Sequence, residues 1–189
     1  MRGGLQLPDG DILLPLSDVP HYQKVFLMRS RDGGKSWDPP VAVAAEEGLW
    51  FEEPTLVSLQ NGNLLMLLRE NSTHYLYQTI SNDQGYSWSK PLQTPIWGYP
   101  AHLLNLPDGR LLCVFGYRRK PYGIRAVISL DSGVSWDLEH VFLLRDDLPN
   151  GDLGYPCSVL RSDGSVYTVY YGQDQDGVTG ILASVYWLD

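Results

Sequence analysis

An eight-residue phrase, Ser-x-Asp-x-Gly-x-Ser-Trp, occurs three times in this 189-residue chain. The copies begin at Ser30, Ser81 and Ser129, so they are 51 and 48 residues apart. A repeat period of this length is typical of stacked supersecondary units that each bury one face against the next unit. The spacing therefore restricts the chain to a repeat architecture.

The residue types within the phrase predict a tight hairpin loop. The Asp carboxylate can accept hydrogen bonds from loop amides, and Gly permits a positive φ. The Trp supplies a large apolar anchor beneath the loop. The phrase is therefore expected to carry the fold and not to be an active site.

A second pattern recurs out of phase with the first: an apolar strand, an Asp-Gly or Asn-Gly turn, and another apolar strand. Its copies cover residues 5–15, 55–69, 102–116 and 158–172. Such turns between apolar runs are a strong hairpin signal. A third apolar strand precedes each Ser-x-Asp phrase and a fourth follows it. Each repeat thus predicts four antiparallel strands, and the fold class is all-β, a β-propeller.

The number of blades that the repeats predict is low for a propeller and indicates an incomplete ring. Three blades carry the phrase, and a fourth, from about residue 154 to residue 189, lacks it. Because propellers close with about four to eight blades, we expect residues 1–189 to form a single propeller domain without its N-terminal blades, as part of a six-bladed ring. The alternatives are a complete four-bladed ring and a homo-oligomer in which a second copy completes the ring.

The charge and hydropathy exclude several partners. A formal charge of −8 argues against a nucleic-acid partner. The densest basic run, residues 118–120 with Arg125, is either an anion site or a solvated loop. No apolar stretch approaches 18 residues and no signal peptide is visible, so no membrane partner is expected. The protein is expected to be soluble, either cytoplasmic or secreted as part of a longer protein.

Cysteine and histidine usage predicts neither a disulfide nor a metal site. Cys113 and Cys157 lie in apolar, strand-like segments and are expected to be buried free thiols. No His, Cys and carboxylate cluster has metal-ligand spacing, and no Gly-rich loop precedes a helix. We therefore expect no cofactor.

Repeat alignment brings a set of polar residues to equivalent strand ends. Glu53, Tyr99 and Tyr155 each precede a proline at the start of a first strand. Arg69 ends a second strand, and Arg118 lies close to the corresponding end in another repeat. In a propeller these ends line the channel mouth, so we expect an acid, phenols and arginines to face one ligand. His102 is expected there either as a substrate contact or as a structural hydrogen-bonding residue.

The Asp-box, or BNR, repeat is similar to that of the sialidase (neuraminidase) superfamily over essentially the whole chain. Residues 52–69, EEPTLVSLQNGNLLMLLR, resemble the stretch in which a Glu precedes a triad arginine by sixteen residues. Residues 154–171, GYPCSVLRSDGSVYTVYY, resemble the segment with the tyrosine nucleophile. The resemblance implies Tyr155 as nucleophile, Glu53 as its base and Arg69 as a carboxylate-binding residue, with Arg118 or Arg125 as another.

The implied reaction is hydrolysis of a terminal acidic sugar, such as sialic acid, with retention. Arginine binds a carboxylate with a rigid fork, and a neutral tyrosine avoids the repulsion that the sugar carboxylate would exert on a carboxylate nucleophile.

Three departures favour an alternative reading. The family's first arginine and Asp acid have no match in residues 1–11, the tyrosine is followed by Pro-Cys, and the late Tyr-Glu is replaced by Tyr-Gly. The chain alone is expected not to hydrolyse efficiently. The alternative function is a non-catalytic propeller that binds carbohydrate or protein.

Overall fold

A computed structural model describes residues 3–188 of the chain, and residues 1, 2 and 189 lie outside the described part. The described residues form fifteen β-strands and no helix. The strands form four antiparallel sheets in two compact units, Met1–Thr94 and Pro95–Asp189. The all-β fold class and the antiparallel propeller blades predicted from the sequence are confirmed, whereas the number of blades in the ring stays a prediction.

The first unit contains two four-stranded sheets, in which each strand pairs with its neighbour in sequence. One sheet has the order β1-β2-β3-β4 and the other the order β5-β6-β7-β8. The unit boundary falls within the last strand. The strands are β1 (Leu5–Gln6), β2 (Ile12–Ser17), β3 (Val25–Ser30), β4 (Val41–Ala44), β5 (Phe51–Ser58), β6 (Leu64–Glu70), β7 (Tyr75–Ser81) and β8 (Leu92–Trp97).

The core of the first unit is built from alternate residues of its two sheets. Leu13 and Leu27 come from the first sheet, and Leu64, Met66 and Leu68 come from the second. Successive strand residues point to opposite faces, so this i, i+2 spacing places the three β6 side chains on one face. Glu52 and Arg69 pair at one end of the same two strands, β5 and β6.

The second unit contains a four-stranded and a three-stranded sheet. The orders are β12-β11-β10-β9 and β13-β14-β15. The last repeat, which lacks the Asp box, thus supplies three strands within the described residues. The strands are β9 (Ala101–Asn105), β10 (Leu111–Tyr117), β11 (Tyr122–Ser129), β12 (Phe142–Leu148), β13 (Gly154–Leu160), β14 (Val166–Gln173) and β15 (Thr179–Tyr186).

The core of the second unit follows the same plan. Leu112, Val114 and Ile124 of one sheet and Val166 and Tyr170 of the other form one buried cluster. The Tyr170 hydroxyl is satisfied by the Ser184 hydroxyl at 2.8 Å. The neighbouring residue on β14, Tyr171, points to the other face and is only partly buried.

The Asp-box loops have the structure that their residue types predict. In the first loop, the Ser36 backbone N–H and hydroxyl donate to the two Asp32 oxygens at 2.9 and 2.6 Å, and the Ser30 hydroxyl donates at 2.8 Å. These hydrogen bonds lower the pKa of Asp32 to about 2. The same pattern recurs around Asp83 and Asp131. The prediction of a hydrogen-bonded loop is confirmed.

The cysteine prediction is half right. Both thiols are free, and Cys113 is buried, but Cys157 is exposed. The strand pattern explains the difference, because Cys157 follows Tyr155 by two residues on the exposed side of β13.

Among residues 3–188, no helix has the length and apolar character needed to cross a bilayer.

Candidate functional site

Strand β5 contains a bulge at the residue that the repeat alignment singled out. Glu52 pairs with Arg69 and Thr55 with Leu67, so Glu53 and Pro54 together oppose a single β6 residue. Proline cannot donate to a ladder and is found at such bulges. Glu53 has a φ of 49°, which is left-handed and costly for a residue with a Cβ. Its backbone N–H donates to the Ser17 hydroxyl at 3.1 Å.

The Arg69 guanidinium lies between two carboxylates at this bulge. Its Nη1 donates to Glu53 Oε2 at 2.9 Å, and its Nε lies 3.3 Å from Glu52 Oε1. Asn71 joins the network by accepting from Arg69 Nε at 2.8 Å and donating to Glu52 at 2.7 Å. All three charged side chains are between 12 and 17% exposed. The sequence-predicted pair of Glu53 and Arg69 is therefore in direct contact.

Glu70, which follows Arg69, has a different role. Its carboxylate is buried and accepts from the backbone N–H groups of Trp50, Ser72 and Thr73 and from the Thr73 hydroxyl, at 2.7–3.0 Å. Burial raises the pKa of this carboxyl, but the four hydrogen bonds outweigh it and hold the pKa at about 2. Glu70 thus ties the loop after β6 to the loop before β5.

Strand β13 of the second unit has the same bulge. Gly154 pairs with Tyr171 and Cys157 with Val169, so Tyr155 and Pro156 oppose one β14 residue. Tyr155 has a φ of 51°, within a few degrees of the angle at Glu53. Tyr155 is 44% exposed, and its ring lies 5.8 Å from the Tyr171 ring, centroid to centroid. The position held by Glu53 beside Arg69 is thus held here by Tyr155 beside Tyr171.

A polar chain continues from Tyr171. Its hydroxyl donates to Asp152 Oδ1 at 2.8 Å and lies 3.5 Å from Arg118 Nη2. Arg118 is oriented by its Nε, which donates to the Leu153 carbonyl at 3.0 Å. The guanidinium also lies 5.3 Å from the centroid of the buried Tyr99 ring. Tyr99 and Arg118, both predicted from the sequence, therefore meet near Tyr171.

Arg125, the other arginine considered for the same role, makes a different contact. Its guanidinium carbon lies 3.4 Å from the centroid of the Tyr117 ring, on the same face of the β10–β11 pair. No contact of Arg125 with Tyr155 or Tyr171 is seen among the described residues of the second unit. The geometry thus separates two arginines that the sequence left equivalent.

His102 joins two strands of the second unit. Its Nδ1 accepts from the Ser158 backbone N–H at 3.3 Å, and its Nε2 lies 3.9 Å from the Cys157 sulfur. These contacts tie β9 to β13 next to the Tyr155 bulge. Of the two roles predicted for His102, the structure provides the contacts for the structural one.

Sequence reasoning missed three polar residues at these bulges. Asn71 directly follows β6, and Asp152 lies in the loop before β13. Gln173, the last residue of β14, donates to Asp152 Oδ2 at 2.9 Å. The only signal was the position of Asn71 two residues after Arg69 and of Asp152 three residues before Tyr155. Within residues 3–188, no group of three or more His, Cys, Asp or Glu side chains has metal-site geometry.

The repeat geometry and these bulges define a class of protein, the Asp-box propellers. The model of the BNR repeat-like domain matches residues 2–168, and the chain belongs to this family. This match, together with the sialidase relative described next, confirms the predicted BNR-type repeat and the resemblance to the sialidase superfamily.

The relatives include glycoside hydrolases. A sialidase of Bacteroides fragilis (strain YCH46) is 25% identical in an alignment 181 residues long, and the alignment covers 88% of this chain and 32% of that protein. A protein of unknown function from Dyadobacter fermentans is 29% identical, with a TM-score of 0.86 over 96% of this chain and 51% of that one. An α-L-arabinanase of Penicillium chrysogenum is 19% identical, with a TM-score of 0.75 over 97% and 61% of the two chains.

The chain spans about a third of the length of the curated relative and about half of the Dyadobacter protein. The solved structures support the propeller fold, and the sialidase and the arabinanase are glycosidases by name.

Proposed function

We propose that the protein is a sialidase-like exo-glycosidase that removes a terminal acidic sugar. The observation that carries this proposal is the bulge that occurs once in each unit. Each bulge holds a non-glycine residue, Glu53 or Tyr155, in the left-handed conformation. Such strain costs about 1–3 kcal/mol per residue and is concentrated at functional sites. A carboxylate and a phenol are the two groups that a tyrosine nucleophile and its base require.

Tyr155 is the proposed nucleophile and Glu53 the proposed base. In the proposed first step the base accepts the phenol proton and the phenolic oxygen forms a bond to the anomeric carbon. The bond to the leaving group breaks as a general acid, the role of the Asp that the sialidase resemblance expects, protonates the leaving oxygen. Water then attacks the anomeric carbon and gives a proton to the conjugate base of that acid, while the bond to the tyrosine breaks and the base returns its proton to the phenolate, so the two displacements give retention of configuration. A neutral phenol suits an anomeric carbon that carries a carboxylate, because it adds no second negative charge in the ground state.

Arg69 and Arg118 are the proposed carboxylate-binding residues. Each is oriented by at least one hydrogen bond through Nε, to Asn71 or to the Leu153 carbonyl. A guanidinium group that is already held in one orientation loses less conformational entropy when it binds a carboxylate. The contact of Arg118 with Tyr171 favours Arg118 over Arg125 for this role.

The test is hydrolysis of a fluorogenic sialoside by the full-length protein. Tyr155→Phe is expected to lower kcat at least about 10³-fold, because the nucleophile is lost. Arg69→Ala is expected to lower kcat/KM about 10²-fold, because one charge-assisted contact is lost. The matched controls are Tyr167→Phe, an exposed tyrosine on β14, and Arg161→Ala, which lies in a turn beside Asp163. Both controls are expected to retain wild-type rates.

A fluorogenic arabinoside is included because one structural neighbour is an arabinanase. If wild type and variants are equally inactive on both substrates, the enzyme proposal is wrong. Hydrolysis of the neutral arabinoside alone would contradict the acidic substrate.

One observation favours a second candidate, a non-catalytic glycan-binding propeller. Arg69 already lies against two carboxylates, which together exceed its charge. Calorimetric binding of a sialoside without hydrolysis, lost in Arg69→Ala, would support that candidate.

A further inference from the structure

The arginines of the chain fall into two groups by their charged partners. Of the nine arginines among residues 3–188, six have a carboxylate within ion-pair distance. The other three are Arg118, Arg119 and Arg125, and they lie within eight residues of one another. In a chain with a formal charge of −8, acidic partners are abundant. Within residues 3–188, the lack of an ion-pair partner is therefore a local property of the segment that holds these three arginines.

Arg119 is fixed on an aromatic surface although it is exposed to solvent. Its guanidinium carbon lies 3.8 Å from the centroid of the Trp97 ring. Its Nε donates to the Tyr117 hydroxyl at 2.9 Å. Stacking on Trp and one hydrogen bond hold the plane of the guanidinium, while its Nη groups remain at the surface. The Trp97 and Tyr117 rings support each other edge to face at 5.3 Å.

Arg125 lies against the same tyrosine. Its guanidinium carbon is 3.4 Å from the Tyr117 centroid, whereas that of Arg119 is 5.3 Å away. The Arg125 Nε is buried and has no hydrogen-bond acceptor among the described residues. A buried N–H of a charged group without an acceptor is unfavourable and is rare in folded proteins.

The Arg119 and Arg125 guanidinium groups lie against one phenol ring, and without an anion between them their like charges repel each other. Arg125 in addition has a buried Nε–H without an acceptor among the described residues. The aromatic rings offset only part of this cost. An oxyanion would neutralise the pair and accept hydrogen bonds from rigid, pre-oriented forks. The arrangement is therefore built to receive an anion that the chain does not supply.

We propose that Arg119 and Arg125, seated on Trp97 and Tyr117, bind a second anionic group of the glycan, a carboxylate or a sulfate ester. This site is separate from the carboxylate-binding role given to Arg69 and Arg118. The assignment to a glycan rests on the proposed function, whereas the anion site itself does not. The proposed site narrows the substrate class to glycans that carry an acidic group on a sugar other than the one released.

The experiment measures binding by calorimetry to the protein that contains the full chain. The probes are N-acetyllactosamine carrying a sulfate ester, the same disaccharide carrying a glucuronic acid, and the neutral disaccharide. Arg119→Gln and Arg125→Gln are each expected to weaken binding of an anionic probe about tenfold or more, the loss expected for one charge-assisted contact. Arg161→Gln, an exposed arginine outside the cluster, is the matched control. The preferred probe shows whether the anion is a sulfate or a carboxylate.

Two further measurements keep the result interpretable. Arg125→Lys keeps the charge but not the fork, and it is expected to recover less than half of the lost binding free energy while folding like wild type. In spectra of the arginine Nε–H groups, the Arg125 signal is expected to shift on titration with the anionic probe.

Tyr155→Phe is expected to bind the anionic probes like wild type, which separates this site from the proposed catalysis. Equal binding of the neutral and both anionic probes would overturn the proposal, as would wild-type affinity in Arg119→Gln and Arg125→Gln.

Discussion

Backbone conformation and burial separate the acidic residues around β5 and β6 into two kinds. Glu53 is held at a strained bulge with its carboxylate against an arginine. Glu70 is fully buried, and its carboxylate accepts four hydrogen bonds from a neighbouring turn and loop. We propose that the first arrangement serves ligand binding, whereas the second holds two loops together.

Glu70→Gln is expected to destabilise the protein by about 2 kcal/mol at pH 7, because an amide offers one acceptor oxygen to a site with four donors. The folded-state pKa of Glu70, about 2, lies below the ordinary value of 4.5. Its contribution to stability is therefore present above pH 4.5 and is lost as the pH falls toward 2. The difference between wild type and Glu70→Gln should shrink over this range in urea unfolding.

Glu47→Gln serves as the control for this pH series, because Glu47 is exposed in the loop before β5. Its unfolding free energy is expected to follow wild type at every pH. A Glu70→Gln difference that is constant between pH 7 and pH 3 would show that the carboxylate charge has no part in the effect.

At the scale of elements, the Asp-box loops share their hydrogen bonds but differ beneath the glycine. Gly34 and Gly85 occupy equivalent positions with φ of 89° and 95°. A Cβ on Gly34 would meet no atom closer than Trp37 at 3.8 Å. A Cβ on Gly85 would lie 2.8 Å from Leu27 Cδ2, in the core of the first unit.

Substitution by alanine at the two sites separates backbone strain from crowding. Gly34→Ala is expected to cost about 1–2 kcal/mol, because only the left-handed conformation is penalised. Gly85→Ala is expected to cost about 1–3 kcal/mol more, because the buried leucine must also move. Thermal and urea unfolding of the two variants measure the difference, and equal losses would contradict the crowding argument.

At the scale of the whole molecule, the chain spans about a third of its curated relative. Residues 1–11 do not match the motif context of the arginine and the Asp acid that the sialidase resemblance expects there. A general acid contributes about 10²–10⁴-fold to a rate. We therefore expect residues 1–189 to hydrolyse a sialoside at least about 10²-fold more slowly than the Bacteroides fragilis sialidase does.

Side-by-side kinetics of the two proteins, with light scattering on each, test this expectation. Equal rates from a monomer of residues 1–189 would show that the chain needs no further blades. Equal rates from a dimer would favour the ring completed by a second copy.

The repeat architecture could be predicted from the sequence because its determinants are local. The loop phrase and the Asp-Gly turns specify φ, hydrogen bonds and strand alternation within a few residues. The period then identified the blades, and equivalent positions identified Glu53, Arg69 and Tyr155. A proline follows both Glu53 and Tyr155, and the structure has a bulge at each of these two positions.

The contacts of individual side chains could not be predicted in this way, because they join residues that are distant in sequence. Arg118 and Arg125 are seven residues apart and chemically alike, yet one lies against Tyr171 and the other against Tyr117. Glu70 resembles a surface partner for Arg69 but is buried, and Cys157 belongs to an apolar run but is exposed. Local chemistry thus specified the blades, whereas strand register and the packing of facing sheets determined which polar groups meet, since those depend on long-range pairing.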